Sequence, residues 1–204
     1  LLLSPYIPLL FMGDEYGETA PFLYFVDHGD PGLNDRVYRG RLQDHPEWIR
    51  DDLPPPRPAA KSSFRRSRLR FDRRNNGQHR LLWLFHQRLL HLRKTLAPWQ
   101  TLDRRRQQVT CDPGGGRWLA SRRTAKGVET LALLHFGDQT TELCIPASGP
   151  WETLLDSADT IWGGPGSATP ATFVVDSKLS LTVPPNSATV LIKRTTASEF
   201  GGVV

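Results

Sequence analysis

The sequence is short of the residues that would announce a chemistry on their own. Of its 204 residues two are cysteine and one is methionine. Cys111 and Cys144 stand far apart, with no CxxC pair and no further ligands to converge with them. Neither a zinc site nor a disulfide framework is therefore expected, and two isolated reduced thiols suit a cytoplasmic protein. Long hydrophobic runs are missing as well. The opening LLLSPYIPLLFM is apolar but contains Pro5 and Pro8, and at about a dozen residues it is too short and too broken to span a bilayer. It has no basic stretch before it and no small-residue cleavage site, so it does not read as a signal peptide, and no membrane partner is expected. The glycine clusters lack the Lys-Ser/Thr and the strand-to-helix setting of a phosphate loop, and no cofactor is expected.

What is present is ordinary for a soluble globular protein: 38% hydrophobic and 23% charged residues, enough chain for one large domain or two small ones. Seventeen Gly and 17 Pro imply many turns. The first residue is Leu1 and the single methionine, Met12, sits inside an apolar run, so the sequence is expected to be the C-terminal portion of a longer protein. The formal charge of +5 is unevenly placed, with six arginines in RRSRLRFDRR at 65–74 and more in DRRRQ at 103–107. Such runs bind phosphate backbones when aromatic side chains interleave to stack on bases. Only Phe64 and Phe71 do so here, and Asp72 lies inside the run. A solvated connecting segment with some arginines paired to carboxylates is the preferred reading, and nucleic acid is not an expected partner.

Along the chain, IPLLFM (7–12) is a short continuous apolar stretch ended by Gly13, the pattern of a strand buried on both faces in a parallel sheet. Residues 13–36 read as a long loop, and loops of that length in compact domains are usually functional or disordered. One or two short helices are expected in RVYRGRLQDHPEWIRDD, before the stiff, proline-rich LPPPRPAA. The clearest helix is GQHRLLWLFHQRLLHLRKTLAP (77–98). Leu82, Phe85, Leu89 and Leu92 line one face, Arg80, Gln87, His91 and Lys94 the other, and Pro98 is expected to stop it. Its histidines, His79, His86 and His91, lack the spacing of a metal pair and read as helix-surface residues. After Pro98 the pattern changes to short strands at 117–123, 130–136, 141–146, 151–156, 172–183 and 188–194, separated by Gly, Pro and Asn turns. That argues an antiparallel sandwich or barrel with a domain boundary near 100. Three domains follow as expectations: residues 1–100, a β-domain at 101–196 and a flexible tail at 197–204.

A buried parallel strand followed by a loop of carboxylates and aromatics, then a helix, then a small all-β domain, is the order expected at the end of a (β/α)8 barrel carrying an appended sandwich. In such barrels the active site is built from loops at the C-terminal ends of the strands. The loop GDEYGETAPFLYFVDHGDP is in that position. Its Tyr16, Phe22, Tyr24 and Phe25 suit the faces of sugar rings, and its carboxylates suit hydroxyls. Packing of the loop onto the barrel is the equally open alternative for any one of these rings.

The stretch SPYIPLLFMGDEYGETAPFLYFVDH (4–28) resembles the eighth-strand region of the alpha-amylase superfamily of glycoside hydrolases. The longer form, with FMGDEYGE, PFLYF and DH, is similar to the malto-oligosyltrehalose trehalohydrolase family. FRRSRLRF (64–71), HRLLWLFHQRLLHLRKTLAP (79–98), LLDSADTIWGGPG (154–166) and LTVPPNSATVL (181–191) support it. The resemblance implies an α/β remnant, the last strand, loop and helix of a (β/α)8 barrel, followed by an all-β antiparallel sandwich. It also implies a retaining hydrolase that frees trehalose from maltooligosyl trehalose by cleaving the adjacent α-1,4 bond. Retention needs two carboxyls roughly 5 to 5.5 Å apart. By resemblance these come from strands that this sequence does not contain, so no catalytic residue is expected in it and the chain alone is expected to be inactive. Asp14 and Glu15, neighbours expected to point to opposite sides of an extended chain, are badly placed to flank one bond. Asp14, Glu15, Tyr16, Phe22 and Tyr24 are the expected substrate contacts, with Gly13 and Gly17 shaping the loop and an α-glucan as partner. A second reading makes the β-domain a free-standing carbohydrate-binding module, with Trp118, Trp151 and Trp162 as a stacking platform, although core positions are the preferred reading for these tryptophans.

Overall fold

The computed structural model describes residues 1–50, 54–112, 114–115 and 117–194. The tail expected at 197–204 lies outside the described residues. Five helices are described: α1 (Pro31–Asp44), α2 (Glu47–Arg50), α3 (Lys61–Arg66), α4 (Gly77–Thr95) and α5 (Ala97–Gln100). The described strands are β1 (Gln107–Cys111), β2 (Trp118–Ala125), β3 (Val128–His135), β4 (Thr141–Pro146), β5 (Gly149–Asp156), β6 (Thr172–Val175), β7 (Lys178–Val183) and β8 (Ala188–Arg194). The backbone divides into two compact units, Leu1–Phe11 with the residues from Arg80 onward, and Met12–His79.

In the first unit a six-stranded antiparallel sheet runs β1-β2-β3-β8-β5-β6, and β4 pairs with β7 as a separate two-stranded sheet. The β2–β3 hairpin turns through Lys126 and Gly127, both at positive φ (51° and 69°), which is what a two-residue turn needs to match the right-handed twist of its strands. β8 lies inside the sheet between β3 and β5, so both of its edges are paired, and its two faces are covered by the smaller sheet and by the helical segment. Its Thr189, Val190, Leu191 and Ile192 are all buried in consequence, and the run reads apolar without alternation. On one face, Trp118, Leu131, Leu133 and Leu191 share a core with Leu143, Ile145, Leu179 and Val183 of the smaller sheet. On the other, Leu155, Val190 and Ile192 pack with Leu89, Leu92, Leu96 and Trp99 of the helical segment, and with Leu2. Each fully buried leucine or isoleucine of this kind stabilises by about 1.5–3 kcal/mol.

Helix and sheet thus share apolar surface, and α4 from Arg80 onward and α5 fall in the same compact unit as the strands. Pro98 does not stop the preceding helix: α4 ends at Thr95, and Pro98 occupies the first turn of α5, where its missing N–H costs nothing. The register of β5 slips between Thr153 and Leu155, and the Leu154 carbonyl freed by this bulge accepts from the Arg88 guanidinium at 3.1 Å. β1 had no signal in the sequence. It is an edge strand, exposed over most of its length, and an exposed edge needs no apolar alternation. The second sheet has only two strands, so the β-region is an antiparallel two-sheet core with helices on its outer face rather than a free-standing all-β unit.

The strand expected at 7–12 does not form. Residues 7–11 have no regular secondary structure, and Ile7 and Leu9 are 78% and 87% exposed. A strand buried on both faces needs a pairing neighbour and a layer above and below it, and none of the described strands pairs with this stretch. Just before it, the chain is held by Arg93 of α4, whose guanidinium donates to the carbonyls of Leu2 (2.8 Å), Ser4 (2.7 Å) and Tyr6.

In the second unit the expected long loop is shorter, because α1 starts at Pro31. Asp30 caps it by accepting from the Gly32 N–H at 2.8 Å, and Pro31 fits the first helical position. Asp30-Pro31-Gly32 reads as a turn in sequence because its three residues serve turns and helix starts equally well.

Candidate functional site

The loop opens at Gly13, whose φ of 95° is left-handed. A Cβ placed there would lie 2.6 Å from the Glu18 Cβ, so both backbone and space demand glycine. Asp14–Tyr16 then make one 3-10 turn, closed by Gly17 at φ 69°, and the Glu18 N–H returns to the Gly13 carbonyl at 2.9 Å. The expected extended geometry for Asp14 and Glu15 is therefore corrected to a tight turn, in which successive side chains are about 120° apart. Glu15 folds back, its Oε2 accepting from the Gly13 N–H at 3.0 Å, while Asp14 is exposed. They do not form a facing pair.

Tyr16 is the second correction. Its side chain is fully buried and packs 6.2 Å from the Phe71 ring, so it braces the loop instead of offering a face to a sugar. Its carbonyl accepts from the His79 ring at 2.8 Å when Nδ1 carries the proton.

The residue that organises the loop is Glu18, which sequence reasoning passed over. Its side chain is 6% exposed. Oε1 accepts from the backbone N–H groups of Thr19 and Ala20, each at 2.8 Å, and Oε2 from the Tyr16 hydroxyl at 3.0 Å and the Arg70 N–H at 2.6 Å. The Arg70 Nε lies 3.7 Å away. Burial favours the neutral acid, but this set of donors outweighs it and holds the carboxyl at about 2. Burial and the adjacent carboxylate push the Tyr16 hydroxyl the other way, up to about 12. The Thr19 hydroxyl accepts from Arg70 Nη2 at 3.2 Å and from Arg73. Farther along, the Leu23 N–H donates to Ser67 Oγ (3.1 Å) and the Val26 N–H to the Pro58 carbonyl (3.1 Å). The carboxylate's main long-range partner lies 52 residues away, and nothing local in the sequence signals it.

On this scaffold Phe22 and Tyr24 are exposed, with the Arg41 guanidinium 4.3 Å from the Tyr24 ring centre. Phe25 meets Phe64 edge-on at 5.3 Å. Phe22, Tyr24 and Asp14 are thus each exposed on a loop whose start is locked at Gly13 and Gly17, while Tyr16, Glu15 and Glu18 work internally. Exposed rings and a carboxylate can stack on and hydrogen-bond to a polar ring, but among the described residues of the loop no two carboxyls oppose each other across a space for cleaving a bond. Among the described residues no group of three or more His, Cys, Asp or Glu is placed to hold a metal ion, and no helix is long and apolar enough to cross a membrane.

In the other unit the core reading of the tryptophans holds for Trp118 and Trp151, and they do not form a surface platform. Trp118 and Trp151 are buried in the core between the sheets, and Trp162 meets Phe85 edge-on at 5.4 Å.

No protein-family model matches the chain. Malto-oligosyltrehalose trehalohydrolase of Mycobacterium tuberculosis is 31% identical over 165 residues, covering 74% of this chain and 26% of that protein. The protein of the same name from Deinococcus radiodurans is 30% identical over 161 residues, 76% of this chain and 26% of its own length. That from Saccharolobus solfataricus is 54% identical over 44 residues, 22% of this chain. The chain spans about a quarter of the length of such relatives. Among solved structures, a candidate alpha amylase from Salmonella typhimurium superposes with a TM-score of 0.65 at 27% identity, covering 95% of this chain and 29% of that one. A trehalulose synthase variant shares the fold at 18% identity, with a TM-score of 0.52 over 91% of this chain and 36% of its own.

Proposed function

This chain is a relative of the malto-oligosyltrehalose trehalohydrolases, within the alpha-amylase superfamily of glycoside hydrolases, and from that premise we propose that it forms the C-terminal part of such an enzyme. In this reading the complete enzyme is cytoplasmic and releases trehalose from maltooligosyl trehalose with retention at the α-1,4 bond. Residues 1–100 complete its catalytic barrel, with the apolar segment 7–12 as an inner strand once its neighbours are present. The loop from Gly13 to Asp30 faces the glucan, Phe22 and Tyr24 stacking on sugar rings and Asp14 accepting hydroxyls. Glu15 and Tyr16 hold the loop's shape. The nucleophile and the acid/base group lie on other segments of the enzyme.

The observation that carries this reading is the locked loop displaying two exposed aromatic rings and a carboxylate. Trp118 and Trp151, which a binding module of the β-domain would need at its surface, lie in the core instead. The test has two parts on the purified chain. Incubation with maltooligosyl trehalose is expected to release no trehalose, and trehalose release would refute the division of labour. Calorimetric titration with maltooligosaccharides is expected to show weak saturable binding that Phe22→Ala and Tyr24→Ala abolish; binding indifferent to both substitutions would remove the loop from the site.

A further inference from the structure

Within the Met12–His79 unit lies a concavity of about 700 Å³ in which four guanidinium-bearing residues, Arg65, Arg66, Arg68 and Arg70, share the lining with Pro21 and Phe71. Asp72 is the one carboxylate in that lining. Arg70 is committed: it pairs with Glu18 and donates to Thr19, which fixes one wall of the concavity. Arg65, Arg66 and Arg68 are exposed, and their guanidinium groups form no ion pair or hydrogen bond among the described residues. The first two sit in the last turn of α3, where a positive charge suits the helix dipole. That account does not extend to Arg68, which lies beyond the helix.

Uncompensated like charges around one hollow repel one another and raise the local potential for an anion. The planar guanidinium fork matches the oxygens of a phosphate group, which can accept from two arginines at once. The rest of the lining decides what carries the phosphate. Phe71 is 54% exposed and, with Pro21, supplies an apolar wall for a compact body, while Asp72 can accept a hydroxyl. A nucleic-acid strand would need a row of stacking rings. The other aromatic of the basic run, Phe64, is turned against Phe25 instead.

We propose that this concavity binds the phosphate group of a small phosphate monoester such as a sugar phosphate. The full chain is titrated calorimetrically at low salt with glucose 1-phosphate, inorganic phosphate, maltose and a single-stranded oligonucleotide. Glucose 1-phosphate is expected to bind saturably and more tightly than inorganic phosphate. The double variant Arg66→Gln/Arg68→Gln, altered only at exposed positions, is expected to melt as the parent does and to lose affinity by about tenfold or more. Phe71→Ala is expected to weaken glucose 1-phosphate and leave inorganic phosphate unchanged. The proposal is overturned by no saturable phosphate binding, by equal affinity of the double variant, by inorganic phosphate binding as tightly as the ester, or by preference for the oligonucleotide. The maltose arm keeps this site distinct from the glucan-facing loop: the Phe22 and Tyr24 substitutions are expected to leave phosphate binding unaltered, and the arginine substitutions to leave maltooligosaccharide binding unaltered.

Discussion

The Tyr16 hydroxyl donates to the Glu18 carboxylate at 3.0 Å, and the two residues keep each other in the protonation states that this bond requires. Glu18 is held ionised down to about 2 and Tyr16 neutral up to about 12. The sign of each contribution follows. The carboxyl's folded value lies below its ordinary value of 4.5, so its stabilisation is complete above that value and is lost as pH falls towards 2. The hydroxyl's folded value lies above its ordinary 10.0, so its stabilisation is complete below 10 and is lost as pH rises through 12. Glu18→Gln removes the charge that four donors serve and is expected to destabilise by about 1.5–3 kcal/mol near neutrality. Urea unfolding curves between pH 2 and 7 check this: the parent should lose stability relative to the variant as pH falls through that acid window. A constant difference between the two across the window would show that Glu18 has no such role.

Two glycines of the same loop separate backbone strain from crowding. Gly13 and Gly29 both have positive φ, 95° and 70°, but a Cβ at Gly13 would meet Glu18 at 2.6 Å, whereas at Gly29 it would find open space. Gly29→Ala should therefore cost only the left-handed penalty of about 1–2 kcal/mol. Gly13→Ala should cost more and also displace Glu18. Thermal melts rank the two, and an equal loss in both would mean that the contact at Gly13 relaxes freely.

Arg93 ties the first six residues to helix α4 by donating to three backbone carbonyls. Arg93→Met keeps most of the aliphatic stem and removes every donor. It is expected to cost about 1.5–3 kcal/mol, the range for hydrogen bonds to a charged group. Limited proteolysis of the N-terminal segment should quicken in the variant. Unchanged proteolysis would mean that Leu2, buried beside Leu89 and Leu92, holds the segment by itself.

Sequence legibility followed the range of the interactions. Strands β3 to β8 announce themselves because each must put apolar side chains on a covered face, and the run expected at 188–194 coincides with β8. α4 is legible for the same reason, through Leu89 and Leu92. Gly13 and Gly17 are legible as turn-makers because a left-handed φ is a local demand. What escaped is what depends on distant partners. β1 is defined by pairing with β2, the capture of Glu18 by Arg70 spans 52 residues, and Tyr16 looks like a stacking residue until its neighbours bury it. The apolar segment 7–12 failed in the opposite direction: its composition asks for neighbours that none of the described strands supplies.

Arg123 offers the contrast to Arg93. It lies on β2, is 1% exposed, and gives Nη2 to the Thr101 carbonyl, while among the described residues Nε and Nη1 find no acceptor. Among the described residues no carboxylate pairs with it, and burial together with the nearby positive charge of Arg93 pulls its guanidinium below the ordinary arginine value. A buried charge served by one carbonyl gains little to offset its desolvation, and replacing such a charge by an apolar side chain of similar length is often neutral or stabilising. Arg123→Met is accordingly expected to change stability by no more than about 1 kcal/mol, or to raise it, where Arg93→Met lowers it. Chemical denaturation of both single variants and of the double variant decides the matter. The double variant should lose more than Arg93→Met and Arg123→Met would predict by addition, because each single substitution already relieves the whole repulsion between the two guanidinium groups and the sum counts that relief twice. A loss above about 2 kcal/mol for Arg123→Met alone would mean that the buried guanidinium is fully satisfied and that its place in the sheet is a stabilising one.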